Sequence, residues 1–208
     1  MPPLSTTQWH IMVSLNRSIM ADVAGAASGV IGAAVSIGSA IGEAAPTHRQ
    51  CTIELKNKCK RYSLCNPRMY FESGGCAVPP SPFIDSSTSD MIQFCKTAHT
   101  ARGAVGVFTY ELLHNDTNQH TEKIAVMYSV PYDFNMHSNW YAVGVFIKSK
   151  ECNRDLYYNM YNNEDSSFIR AKASDPCLIY KGRHVTIRAS MSDAFQPVMK
   201  LQVTDNIK

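Results

Sequence analysis

The stretch Ser129–Phe146, SVPYDFNMHSNWYAVGVF, decides how the rest of the chain is read. It opens at the end of one alternating apolar run and closes inside another, so it is two strands and their connection. Pro131, Asp133, Asn135, Ser138 and Asn139 are the turn formers such a connection needs. Tyr132, Phe134, Trp140 and Tyr141 are not turn formers. Large rings among turn residues either fold back onto a core or stand out as a binding surface.

The same alternation recurs along the chain. Cys51–Leu55, Arg68–Ser73, Asp90–Lys96, Gly103–Leu113, Lys123–Val130, Trp140–Lys148, Cys177–Lys181, His184–Ser190 and Val198–Val203 carry β-branched or aromatic residues at period two. Turn clusters such as GGCAVPPSPFIDSSTSD, LHNDTNQHTE and MSDAFQ separate them. Many short strands at such spacing predict a mainly β protein, a sandwich or barrel. CNRDLYYNMYN, Cys152–Asn162, breaks the pattern and suits a short helix on the sandwich surface. A chain of 208 residues accommodates one such domain with an N-terminal extension.

From Ala21 the composition shifts to ADVAGAASGVIGAAVSIGSAIGEAA, with Asp22 and Glu43 as its only charges. The span between them is about 20 residues, roughly 30 Å as a helix. Val23, Ala27, Val30, Ala34, Ile37 and Ile41 follow steps of three and four, one greasy stripe, with Ile31 beside it. Each interior glycine costs a helix about 1 kcal/mol relative to alanine, so the segment is weak in water. Such a helix either docks on the domain permanently or lies in a membrane interface. The layout read here is an extension over residues 1–20, an amphipathic helix over 21–45 and a β-sandwich over 46–208.

Other classes are disfavoured. The net charge of +3 comes without a basic run, so no nucleic-acid partner is expected. The seven cysteines contain no C-x-x-C pair, and no metal or other cofactor is expected. Seven leaves at least one thiol unpaired within the chain, and the others are either reduced and buried or form one or two bridges. The histidines are scattered without a hydrolase context, so no enzyme is expected. By contrast, Tyr132, Phe134, Trp140, Tyr141, Tyr157, Tyr158 and Tyr161 form a concentrated aromatic set. Ring faces attract quaternary ammonium groups by about 0.5–2 kcal/mol each, and Tyr and Trp favour the membrane interface.

The helical stretch opening ADVAG, followed by GAVGVFTYEL, IAVMYSVPYDFNMHSNWYAVGV and DLYYNMY, resembles the actinoporins, the sea-anemone cytolysin family, and their relatives in other animals. The resemblance implies a β-sandwich flanked by two α-helices. It implies a secreted, soluble monomer that binds membranes containing sphingomyelin or phosphatidylcholine. There the N-terminal helix would insert, and a homo-oligomer would line a cation-permeable pore. The family's headgroup pocket carries over to Ser73, Val105, Ser129, Pro131, Tyr157 and Tyr158, and its membrane-facing rim to Tyr132, Trp140 and Tyr141. Val23, Val30, Ile31, Ile37 and Ile41 would form the inserting face.

The chain departs from the family at several positions. His137 stands where a pocket tyrosine is expected, Asn153 where a second one is, and Met136 where the loop tip usually carries Trp. NNEDSS, Asn162–Ser167, replaces the usual R-G-D after the tyrosine pair. These departures leave a second reading, a non-lytic lipid- or carbohydrate-binding module. The start, MPPLSTTQWHIMVSLNRSIM, has no basic n-region and is not read as a secretory signal, so the compartment stays open.

Overall fold

Alternation at period two becomes strand throughout residues 49–206, the part of the chain that the computed structural model describes. One six-stranded sheet joins β1 (Gln50–Asn57), β3 (Gly75–Val78), β5 (Ser89–Cys95), β10 (Leu178–Lys181), β11 (Val185–Met191) and β12 (Val198–Asp205), in the order β10-β11-β12-β1-β5-β3. The other joins β2 (Tyr62–Ser73), β4 (Phe83–Ile84), β6 (Ala104–His114), β7 (Gln119–Val130), β8 (Trp140–Ile147) and β9 (Phe168–Lys172), in the order β4-β2-β6-β7-β8-β9. Among these pairings β1 with β12 is parallel and the rest are antiparallel. The mainly β sandwich expected from the pattern is the fold.

Side chains from the two inner faces interlock as the core. Ile53, Leu55, Ile92 and Phe94 of the first sheet meet Phe108, Tyr110, Tyr128, Tyr141 and Val143 of the second. Phe94 and Tyr128 stack across the gap, with centroids 4.3 Å apart and planes within 8°. Tyr110 buries its ring and donates its hydroxyl to the Ser81 carbonyl at 2.7 Å, so its polar tip is satisfied.

The outer face of the second sheet carries a smaller cluster. There α1 (Arg154–Asn162) seats Leu156, Tyr157 and Met160 against Val107, Ala125, Met127, Ala142 and Phe168. This is the short helix read from CNRDLYYNMYN. Of the two flanking helices expected, α1 is the one among the described residues. The helix assigned to 21–45, with Val23, Val30, Ile31, Ile37 and Ile41 on its face, and the extension 1–20 lie outside them.

Three strands escaped the pattern. β3 and β4 are too short to show alternation, and β9 is five residues long, with Ile169 and Ala171 turned to the core and Arg170 and Lys172 on the outer face. The seven cysteines stand as free thiols, of which Cys51, Cys59 and Cys65 are buried, Cys76, Cys95 and Cys152 half-buried and Cys177 exposed.

Candidate functional site

Strand register assembles the site. Ser73 of β2 pairs with Val105 of β6, Val105 with Ser129 of β7, Ser129 with Trp140 of β8, and Trp140 with Lys172 of β9. Residues opposite one another on antiparallel strands share a face, and Val105 packs against the cluster under α1. The row therefore lies on the outer face, on the α1 side of the sheet. Three of the expected pocket residues, from separate segments of sequence, are brought together by it.

The same period-two rule corrects one expectation. With Trp140 on the outer face, its strand neighbour Tyr141 must point inward, where it pairs with Tyr128 and is 0% exposed. Tyr141 is a core residue and cannot touch a membrane in this fold.

Backbone crowding holds the β2 end of the row. Gly74 has φ +92°, a conformation that suits glycine, and a Cβ there would run into the Cys95 carbonyl. Ser73 Oγ donates to the Gly103 carbonyl at 2.8 Å, so its hydroxyl proton is engaged within the protein. Gly103 lies against Val130 and Pro131 so closely that a side chain would collide with their backbone. Ser129 is buried and Pro131 half-buried.

The tyrosine wall comes from α1. Asn153 caps the helix, its Oδ1 accepting the Leu156 N–H at 3.1 Å. At this departure from the family a helix cap thus takes the place of an aromatic wall. Tyr157 sits among Tyr70, Tyr158 and Tyr161, with centroids at 6.3, 5.3 and 5.7 Å, and burial pushes its phenol well above the ordinary range. It contributes structure under the site more than an open face. Tyr158 is exposed and donates its hydroxyl to Glu72 Oε1 at 3.1 Å, while Tyr70 donates to Glu72 Oε2 at 2.7 Å. The Arg154 guanidinium lies 4.6 Å from the Tyr158 ring centroid.

The connector of the opening stretch leaves this row after Ser129 and returns to it at Trp140, so its tip projects beside the site. Asp133 Oδ1 accepts the N–H groups of Asn135 and Met136 at 3.0 and 3.3 Å and folds the turn. Asn139 is buried and donates to the Ala194 carbonyl at 2.8 Å, tying the connector to the loop before β12. At the tip Met136 is 77% exposed and Tyr132 47%. His137 is exposed, and among the described residues its imidazole makes no hydrogen bond or ring contact; the structure does not bring it to the pocket tyrosines.

Sequence reasoning missed several neighbours of this tip. Phe195, 54% exposed, packs on Phe134 at 5.1 Å. Arg49 donates to the carbonyls of Pro131 and Tyr132 at 3.1 and 2.9 Å and lies 4.5 Å from the Phe195 ring. Lys96 approaches Tyr132 at 5.7 Å, and Trp140 is flanked by Arg170 at 5.1 Å and Lys172 at 5.5 Å. The one signal available was the lone phenylalanine in MSDAFQ, a ring among turn formers like those of the connector.

A second constellation, Cys65, Glu111 and His120, gathers farther along the same outer face. His120 Nδ1 and Glu111 Oε2 are 2.7 Å apart, closer than the roughly 3.3 Å of two ligands on a tetrahedral zinc ion. Lys123 Nζ stands 3.8 Å from the same carboxylate. The group is a hydrogen-bonded cluster.

Residues 22–204 match the family model described as sea anemone cytotoxic protein. Bryoporin from Physcomitrium patens is 33% identical over 114 residues, 55% of this chain and 61% of that protein. Deep sea actinoporin Cjtox II from Cribrinopsis japonica is 38% identical over 95 residues, 45% of this chain and 40% of that protein. The matched stretches therefore leave a large part of each relative uncovered. Among solved structures, the lipid binding protein Nakanori shares the fold at a TM-score of 0.62 and 12% identity, over 82% of this chain and 78% of that one.

Proposed function

We propose, from the premise that the chain belongs to the sea anemone cytotoxic protein family, that it docks on lipid bilayers through one end of the sandwich and permeabilises them. The observation that carries this reading is an exposed apolar tip, Met136, Tyr132 and Phe195, projecting beside the row Ser73–Val105–Ser129–Trp140. A globular domain gains nothing in water by exposing three such side chains together. Burying each in a bilayer interface is worth about 1–2 kcal/mol. Three together give reversible docking, and headgroup contacts along the row add specificity.

In this reading Ser73 and Ser129 approach a headgroup phosphate, with Ser73 giving up its bond to Gly103. Pro131 and Val105 line the contact, Tyr157 supports it from below, and Tyr158 and Trp140 bracket it. His137, on the tip, meets the headgroup layer outside the pocket. Sphingomyelin and phosphatidylcholine are the headgroups that the resemblance implies. The segment 21–45 then enters the membrane with Val23, Val30, Ile31, Ile37 and Ile41 toward lipid, and several copies line a cation-permeable pore.

Release of trapped dye from phosphatidylcholine vesicles, with and without sphingomyelin, tests this. Release is expected, and replacing Val30 or Ile37 by Asp should abolish it while leaving vesicle binding nearly intact. Folded protein that binds but never releases dye would move the reading to a non-lytic recognition module.

A further inference from the structure

We propose that Glu72 is a specificity-determining residue of this site: its carboxylate braces Tyr158 of α1 and balances the charge beside the serine row, so that a zwitterionic headgroup is preferred to an anionic one. The inference rests on the membrane-docking reading and adds one residue to it. A β-bulge puts the carboxylate in place. Phe71 pairs with Gly106 and Ser73 with Val105, neighbours on β6, so Glu72 is the extra residue between them. In a regular strand Tyr70 and Ser73 would face opposite ways. Here they stand opposite Val107 and Val105, both part of the cluster under α1, and the Glu72 carboxylate reaches that same face.

Glu72 Oε2 accepts the Tyr70 hydroxyl at 2.7 Å, and Oε1 accepts the Tyr158 hydroxyl at 3.1 Å across 86 residues of sequence. The second bond ties an exposed helix residue to the strand that carries Ser73. Stability does not call for it, because Tyr158 is exposed and water would satisfy its hydroxyl as well. What the bond fixes is where the Tyr158 ring stands relative to the row.

The charge of Glu72 matters as much as the bond. Arg154 lies 4.6 Å from the Tyr158 ring and its Nη2 donates to the Tyr158 hydroxyl at 3.4 Å, so that hydroxyl stands between the guanidinium and the carboxylate. The Tyr158 hydroxyl, and beyond it the charge of Glu72, hold the Arg154 guanidinium above its ordinary value. The ion pairs among the described residues join other groups, so Glu72 and Arg154 offset each other through the phenol rather than by direct contact. The neighbouring clefts are balanced too: Arg170 shares one with Glu164, Asp165 and Asp175 beside Trp140, and Arg49 shares another with Asp133 beside Tyr132. Such a surface suits a headgroup that carries both charges. A net-anionic headgroup meets Glu72 as a like charge, and without Glu72 it would meet Arg154 unopposed.

The test is flotation of the full chain with two vesicle types at equal total lipid, phosphatidylcholine with sphingomyelin and phosphatidylcholine with phosphatidylglycerol. The ratio of the two bindings is read, because a partly unfolded variant loses both alike. Wild-type protein should favour the sphingomyelin vesicles. Glu72→Gln keeps the shape and an acceptor oxygen but removes the charge, and should lower the ratio about fivefold. Glu72→Asp keeps the charge on a shorter arm, and Tyr158→Phe keeps the ring without its hydroxyl. Both should weaken binding to the two vesicle types alike and leave the ratio as it is. Asp116→Asn, at an exposed position in the turn between β6 and β7, removes the same charge outside the site and should also leave the ratio unchanged. An unchanged ratio in Glu72→Gln, an equal shift in Asp116→Asn, or wild-type protein that favours phosphatidylglycerol would overturn the inference and leave membrane docking standing. Folded wild-type protein that binds neither vesicle would overturn both.

Discussion

At the scale of single residues, the site is a question of which side chains the sandwich leaves free. Met136 takes a tip position beside the headgroup row, and Met136→Asp should lower vesicle binding about tenfold or more without changing thermal stability, because the position packs against nothing in the core. A flotation assay beside a melting curve checks both halves of that expectation. Cysteine chemistry separates the same way. Cys51 and Cys59 are buried with thiols pushed far up by desolvation, and burial holds Cys65 and Cys76 up at about 11, whereas Cys177 is exposed. Thiolate is the reacting form, so maleimide at neutral pH should label Cys177 first, and Cys177→Ser should remove the fast phase seen by mass spectrometry.

At the scale of elements, α1 and the connector owe their positions to capping and to parity. Asn153→Ala removes the helix cap and should cost about 1 kcal/mol in denaturant unfolding. Because α1 carries Tyr157 and Tyr158, vesicle binding should weaken as well. A loss of stability with no loss of binding would separate the helix from the site. Parity in β8 is equally strict. Trp140 and Tyr141 were both legible as aromatic, and alternation alone says that adjacent strand residues cannot face the same way. Which of the two faced out depended on which face of the sheet met the other sheet, and that is not written locally.

At the scale of the molecule, the two sheets are held by aromatic contact across the core. Tyr128→Ala deletes the ring that stacks on Phe94 at 4.3 Å and should cost about 3–5 kcal/mol, seen as a large fall in Tm. The site is built on the outer face of that same strand, where Ser129 follows Tyr128, so site and core share one backbone. What the sequence by itself determined was the strand periodicity, the single break at Cys152–Asn162, the aromatic connector and the motifs that carry the resemblance. All of these are properties of neighbours in the chain. Only the tertiary structure decided that Tyr141 is core, that Asn153 caps a helix, that Ser73, Val105, Ser129 and Trp140 stand in one row, and that Arg49, Lys96, Arg154, Arg170 and Lys172 gather around its rings. The physical reason is that strand register and loop packing are set by burial across many strands at once. A cation in β9 or ahead of β1 therefore becomes a neighbour of the connector only after the sheets have closed.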